Sequence, residues 1–263
     1  MIAKYGLRSL ALVYVGLLLA APVGMICYRA FEHGIGPAWD AVTTPEAQHA
    51  FWLTFVMVII AVPLNTVFGI ACALLLVRTR MRGRRVLNAI IDLPFAISPV
   101  VVGLALILAY GQQGWFGEWL LTAGIQVIFS VPGMVLATMF VSLPFVVREV
   151  VPVLREVGTE PEEAAATLGA SSWQTFWRIT LPAIRWGVAY GVVLTTARAL
   201  GEFGAVSVVS GKISGSTQTA TLFVEDRFQH FDYVGAYAAS IVLALIAIAV
   251  LVFMTLLQRR TVS

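Results

Sequence analysis

Six long apolar runs decide what this chain can become. Residues 7–28, 51–77, 89–110, 131–151, 187–210 and 235–257 each reach the roughly 20 apolar residues that a bilayer crossing needs. In lipid every backbone N–H and C=O must be satisfied within the segment, so runs of this length cross as helices. The rest of the composition agrees. The chain is 59% hydrophobic and 12% charged, with a mean hydropathy of +0.89, whereas soluble domains carry roughly 25% charged residues. The predicted fold class is an all-α membrane protein with six transmembrane helices. The third run is the least regular, because Pro94 and Pro99 lie inside it and mark a kink or a break.

Basic residues orient the bundle by the positive-inside rule. One set of connections holds Lys4, Arg8, Arg78, Arg80, Arg82, Arg84, Arg85, Arg148, Arg155, Arg178, Arg185, Arg259 and Arg260. The opposite set holds Arg29, Lys212 and Arg227. The first set is expected in the cytoplasm, with both termini on that side. The first apolar run continues to Tyr28, beyond the ~7–15 residues of a signal-peptide core, so it is expected to stay as an anchor. His33, His49 and His230 fall in the expected outer loops (residues 30–50, 111–130 and 211–234), away from any intramembrane proton relay. The middle loop contains GWFGEWLL, which reads as a short helix with tryptophans suited to the headgroup level. Cys27 and Cys72 lie in apolar runs and form no metal-ligand pattern.

The connection between the fourth and fifth runs is long and polar. Thr159 and Glu162 have capping-box spacing, Pro161 suits a first turn, and Glu160, Glu162 and Glu163 put negative charge at a helix N-terminus. Ala164, Ala165, Ala166 and Leu168 continue the helix and Gly169 stops it. A second helix restarts at Ser171 or Ser172, carries Trp173, Phe176, Trp177 and Thr180 on one stripe, and is expected to close at Pro182. Two readings compete: a linker lying on the lipid surface, and a docking element for a cytoplasmic partner. A lipid-surface helix has a basic polar face. This one begins acidic and alanine-rich, which favours docking.

Two charged residues fall inside the fifth run. Arg198 and Glu202 stand at pairing distance on a helix, and a charge at membrane depth faces a partner or an aqueous cavity. They read either as a pair that fixes the bundle or as part of an anion route. Ser98, before Pro99 in the broken third run, is a similar candidate. Ala197, Gly201 and Ala205 form a small-residue stripe suited to close helix packing. Asp92, near the cytoplasmic end of its run, is expected to satisfy Arg84 or Arg85, and Asn65 is the other polar residue at depth.

The polar connection also resembles a known signature. Glu163-Ala164-Ala165, Gly169, Ile179 and Leu181-Pro182 stand at the spacing of the EAA motif of ABC-importer permeases. IDLPFAISPVVVGLALIL, VPGMVLATMFVSLPFVVREVVPVL and ARALGEFGAVSVVSG are similar to the CysW-type subunits of the sulfate/thiosulfate importer family. The resemblance implies a MetI-like, type I importer permease fold. It divides the chain into residues 1–50 (first span and outer loop), 51–257 (permease domain, with the coupling segment at 155–185) and a cytoplasmic tail at 258–263. It implies a bacterial inner membrane location, and partners in a CysT-like permease, a CysA-like ATPase homodimer, an external sulfate-binding protein and the surrounding lipid, with no nucleic acid.

The chain is expected to be no enzyme, and to bind neither a cofactor nor a metal. The sequence has no phosphate-binding GxxxxGK[ST] loop, so ATP and magnesium belong to the partner ATPase. A molybdate or tungstate permease is the alternative within this class. A self-sufficient anion channel or secondary transporter is the alternative outside it, and it leaves the coupling segment unexplained. An intramembrane metalloprotease would need a His-Glu-x-x-His pattern, which is absent.

Overall fold

The structure is a computed structural model that describes residues 10, 13–79 and 81–260. Lys4, Arg8, Arg80 and the start of the first expected span lie outside the described residues, as do the side chains of Arg259 and Arg260 and residues 261–263. Among the described residues, five helices are long and apolar enough to span a membrane: α1 (Val13–Phe31), α3 (Pro45–Arg78), α7 (Val131–Val157), α9 (Ser172–Leu200) and α12, which runs over Tyr233–Arg260. Short helices α2 (Ile35–Val42), α6 (Gly117–Thr122), α10 (Gly204–Val209) and α11 (Ala220–Gln229) lie between them. Within GWFGEWLL the residues from Gly117 onward form a helix, α6; Trp119 on it and Trp115 just before it are exposed.

The third run is a pair of helices. α4 (Arg84–Ala96) and α5 (Pro99–Tyr110) meet at 115°. The break falls at Ile97 and Ser98, and Pro94 stays inside α4. Ser98, preceding a proline, takes ψ 135°, as Pro Cδ demands of its neighbour.

The fifth span also differs from the expected 187–210. It starts at Ser172 and ends at Leu200, with α10 separate. Pro182 does not close a helix. The turn before it, Phe176–Thr180, is wound as a π turn in which Leu181 N–H bonds Phe176 O. That extra residue accommodates the proline, so the helix runs through.

α7 is the axis of the bundle. Its N-terminal half packs Met134, Ala137 and Val141 against Leu53, Met57 and Ala61 of α3 and Ala205, Val206 and Val209 of α10. Its other half packs Val146, Val147, Val150 and Leu154 against Cys72, Ala73 and Leu76 of α3 and Ile184 of α9. In lipid, helix contact depends on small residues, and here they flank one side chain. A Cβ on Gly69 would stand 2.6 Å from Val146 Cβ, and one on Gly191 would stand 2.7 Å from Val146 Cα. Asn65, fully buried, donates to Met139 O at 3.0 Å and to Ser142 Oγ at 2.8 Å, a polar staple at depth.

The helices leave two ends. Arg78 and Arg155 belong to one. The other holds Arg29, Lys212 and Arg227, each facing a carboxylate: Glu32 at 3.0 Å, Glu225 at 2.7 Å and Asp232 at 3.5 Å. α11 is anchored at this second end, where Ala220 N–H donates to the buried Thr54 Oγ1 at 2.9 Å.

Candidate functional site

Two places concentrate the residues singled out by the sequence. The first is the polar connection at the Arg78 end. α8 (Glu160–Thr167) ends in a paired backbone motif: Gly169 N–H bonds Ala166 O and Ala170 N–H bonds Ala165 O, both at 3.0 Å. Gly169 has φ +82°, which a side chain adopts only with strain. A helix, a glycine break and a second helix are therefore all present. Glu163, Ala164, Gly169 and Pro182 are exposed, Ala165 is buried, and Ile179 and Leu181 are half-buried.

Two local expectations fail there. Thr159 makes no side-chain cap, and Glu162 does not reach back to it. Glu162 instead accepts from Arg78 Nε at 2.8 Å and from Thr180 Oγ1 at 2.8 Å, because a guanidinium and a buried hydroxyl outcompete a local amide. The capping box that forms is Ser171 with Gln174, at the start of α9. Of the aromatic stripe, Phe176 is half-buried and Thr180 buried, while the two tryptophans are open. Trp173 is 70% and Trp177 50% exposed, and their rings meet edge to face with centroids 5.5 Å apart. With Leu168 at 89% exposed, they leave an apolar rim around the Gly169 turn.

The second place is where two membrane helices break side by side. α5 opens at Pro99 and α10 opens at Gly204. A Cβ on Gly103 would meet Ala205 O and Val208 Cβ at 2.8 Å, so α5 and α10 touch through backbone. Glu202, with its side chain 1% exposed, sits in the gap after α9. Its Oε1 accepts from Ala205 N–H at 2.9 Å, at the positive end of α10, and its backbone O accepts from Thr221 Oγ1 at 2.8 Å. Its Oε2 lies 2.6 Å from Arg198 Nη1, an ion pair without hydrogen-bond alignment.

Arg198 and Glu202 therefore pair, but across a helix end and not within a span. The expected Ala197, Gly201, Ala205 stripe does not form. Gly201 is exposed, a Cβ there would meet only Ala197 O at 3.8 Å, and the helix stops before Ala205. Ser98 is exposed and Pro99 half-buried at the same junction. Asp92 is paired, though not with Arg84 or Arg85. Arg148 Nε donates to its Oδ1 at 2.8 Å, Arg148 Nη2 closes the fork on Oδ2, and Asn88 Nδ2 donates to Oδ2 at 3.2 Å.

Similarity to known proteins decides the family. Residues 65–263 match the model described as binding-protein-dependent transport system inner membrane component. The chain belongs to this permease family. It is thus a multi-pass membrane component of an ABC import system, a permease subunit and not a catalyst. Among the permeases it resembles, the sulfate transport system permease protein CysW of Synechocystis sp. is 53% identical over 258 residues, 98% of this chain and 94% of that protein. The sulfate transport system permease protein CysT of Escherichia coli is 40% identical over 235 residues, 89% of this chain and 85% of that protein. A bacterial ABC transporter involved in the import of the acidic polysaccharide alginate has the same permease fold, with a TM-score of 0.83 at 19% identity over 98% of this chain and 95% of that one. Family membership removes the support for a self-sufficient channel.

Proposed function

We propose that this chain is the CysW-type membrane half of an ATP-driven importer that passes sulfate or thiosulfate across the cytoplasmic membrane. The observation that carries this reading is the higher identity to a CysW protein than to a CysT protein, over nearly the whole chain. The Arg78 end, rich in basic residues, faces the cytoplasm together with both termini. A CysT-like chain supplies the other half of the path, a CysA-like homodimer hydrolyses ATP and holds its magnesium, and an external sulfate-binding protein delivers the anion to the opposite end. This chain itself holds no cofactor.

Residues 155–185 meet the ATPase. In this reading Glu163, Ala164, Ala165 and Gly169 present the contact, and Ile179, Leu181 and Pro182 join it to α9. Ser98, Pro99, Arg198 and Glu202 border the path. Arg198, 30% exposed beside a buried carboxylate, is the cation that meets a divalent anion there.

The test is reconstitution of the four components in proteoliposomes with radiolabelled sulfate. Uptake is expected only with ATP and the binding protein. Uptake without ATP, or a preference for molybdate over sulfate, would overturn the assignment.

A further inference from the structure

Helix α8 is fastened to the bundle by charge and not by a core. Of its residues only Ala165 is buried. Glu162 carries the attachment, and Arg78 is its centre. Arg78 Nε donates to Glu162 Oε2 at 2.8 Å, Nη1 to Leu154 O at 3.0 Å and Nη2 to Gly158 O at 2.6 Å. The other carboxylate oxygen accepts the hydroxyl of Thr180, a residue 5% exposed in α9. One guanidinium and one carboxylate thus join the ends of α3 and α7, the knob of α8 and the base of α9. Both side chains are mostly shielded, at 14% and 20% exposed, so salt screens them weakly. A planar guanidinium serves three acceptors in fixed directions, which an ammonium on a flexible stem does not.

We propose that Arg78 and Glu162 are positioning residues for energy coupling. They make the α8 knob move as one body with α3, α7 and α9, so that a displacement of the knob reaches the membrane path. This rests on the reading of residues 155–185 as the segment that meets the ATPase.

The test uses the full complex in proteoliposomes, with Arg78→Lys, Glu162→Gln and Thr180→Val in this chain. Three quantities are read: co-purification of the ATPase, the response of ATP hydrolysis to sulfate-loaded binding protein, and radiolabelled sulfate taken up per ATP hydrolysed. The variants are expected to assemble and to hydrolyse ATP, with a response to the binding protein that is lost. Uptake per ATP in Arg78→Lys and Glu162→Gln should fall about tenfold, within the roughly 5–150-fold range of couplings between sites. Thr180→Val should fall less. Unchanged uptake per ATP, a parallel fall of uptake and hydrolysis, or loss of assembly would each overturn the proposal. A wild-type complex that responds to its binding protein yet takes up no sulfate would remove the substrate assignment alone. The clamp would then be read from the hydrolysis response.

Discussion

Pro99 and Gly204 meet where two membrane helices break: a Cβ added to Gly204 would stand 2.8 Å from the Cβ of Pro99. Each residue opens a helix after an interruption, so the two breaks share one level of the bundle. Overpacking a tight contact costs typically about 1–3 kcal/mol. Gly204→Val is expected to destabilise the purified complex by that amount, read as a lower thermal midpoint. Gly201→Ala, where the nearest neighbouring atom would lie at 3.8 Å, should leave it unchanged. Equal effects of the two substitutions would refute the close packing of the breaks.

Glu202 is buried and Arg198 is its cationic partner. Removing one member of a buried pair strands the other charge, at a cost of about 3 kcal/mol or more. Arg198→Ala is therefore expected to destabilise the complex strongly and to abolish sulfate uptake. Adding Glu202→Gln to Arg198→Ala should recover stability, because glutamine keeps an acceptor for Ala205 N–H without the stranded charge. Uptake should stay lost. A double variant no more stable than the single one would exclude the stranded-charge account.

Gly169 has open space around its Cα and a positive φ. Gly169→Ala should therefore cost only the left-handed backbone penalty, about 1 kcal/mol, and leave the ATPase co-purifying. Gly169→Glu should leave membrane insertion intact and abolish co-purification. Retention of the ATPase by the glutamate variant would argue against residues 155–185 as its contact.

Trp173 is mostly exposed in this chain. Trp173→Ala should change the unfolding free energy of the isolated chain by no more than about 0.5 kcal/mol, as surface substitutions do. A large loss of stability in the isolated chain would place the ring in the bundle core.

Much of the fold is legible in hydropathy, because five of the apolar runs correspond to long helices and the prolines of the other flag its break. Direction is not legible there. Hydropathy sums composition over a window, and it cannot distinguish one 22-residue crossing from α4 and α5 meeting at 115°. Pro182 resembles a terminator, but the π turn that absorbs it leaves no mark in residue type. Capping-box spacing occurs twice in the polar connection, at Thr159 and at Ser171. The second forms because Gln174 has no better partner, whereas Glu162 is claimed by Arg78, 84 positions earlier in the chain. The Glu163 to Pro182 pattern is visible as residue spacing. The clamp beside it is visible only once α3 and α7 are brought together.

Val146, gripped between Gly69 and Gly191, has a consequence for how force travels. Gly69 lies nine residues before Arg78, about 13 Å along α3 at 1.5 Å per residue. α3, α7 and α9 are thus tied to one another at two heights, by close packing at Val146 and by the guanidinium at Arg78. Two ties at different heights fix the tilt of a shaft as well as its position. Under the proposed coupling, the three shafts form a braced frame that carries a push at its base as one body. The helix breaks at Ile97–Ser98 and Gly201–Phe203 lie beyond these two ties, the second held on its own through Glu202 by Arg198, Ala205 N–H and Thr221.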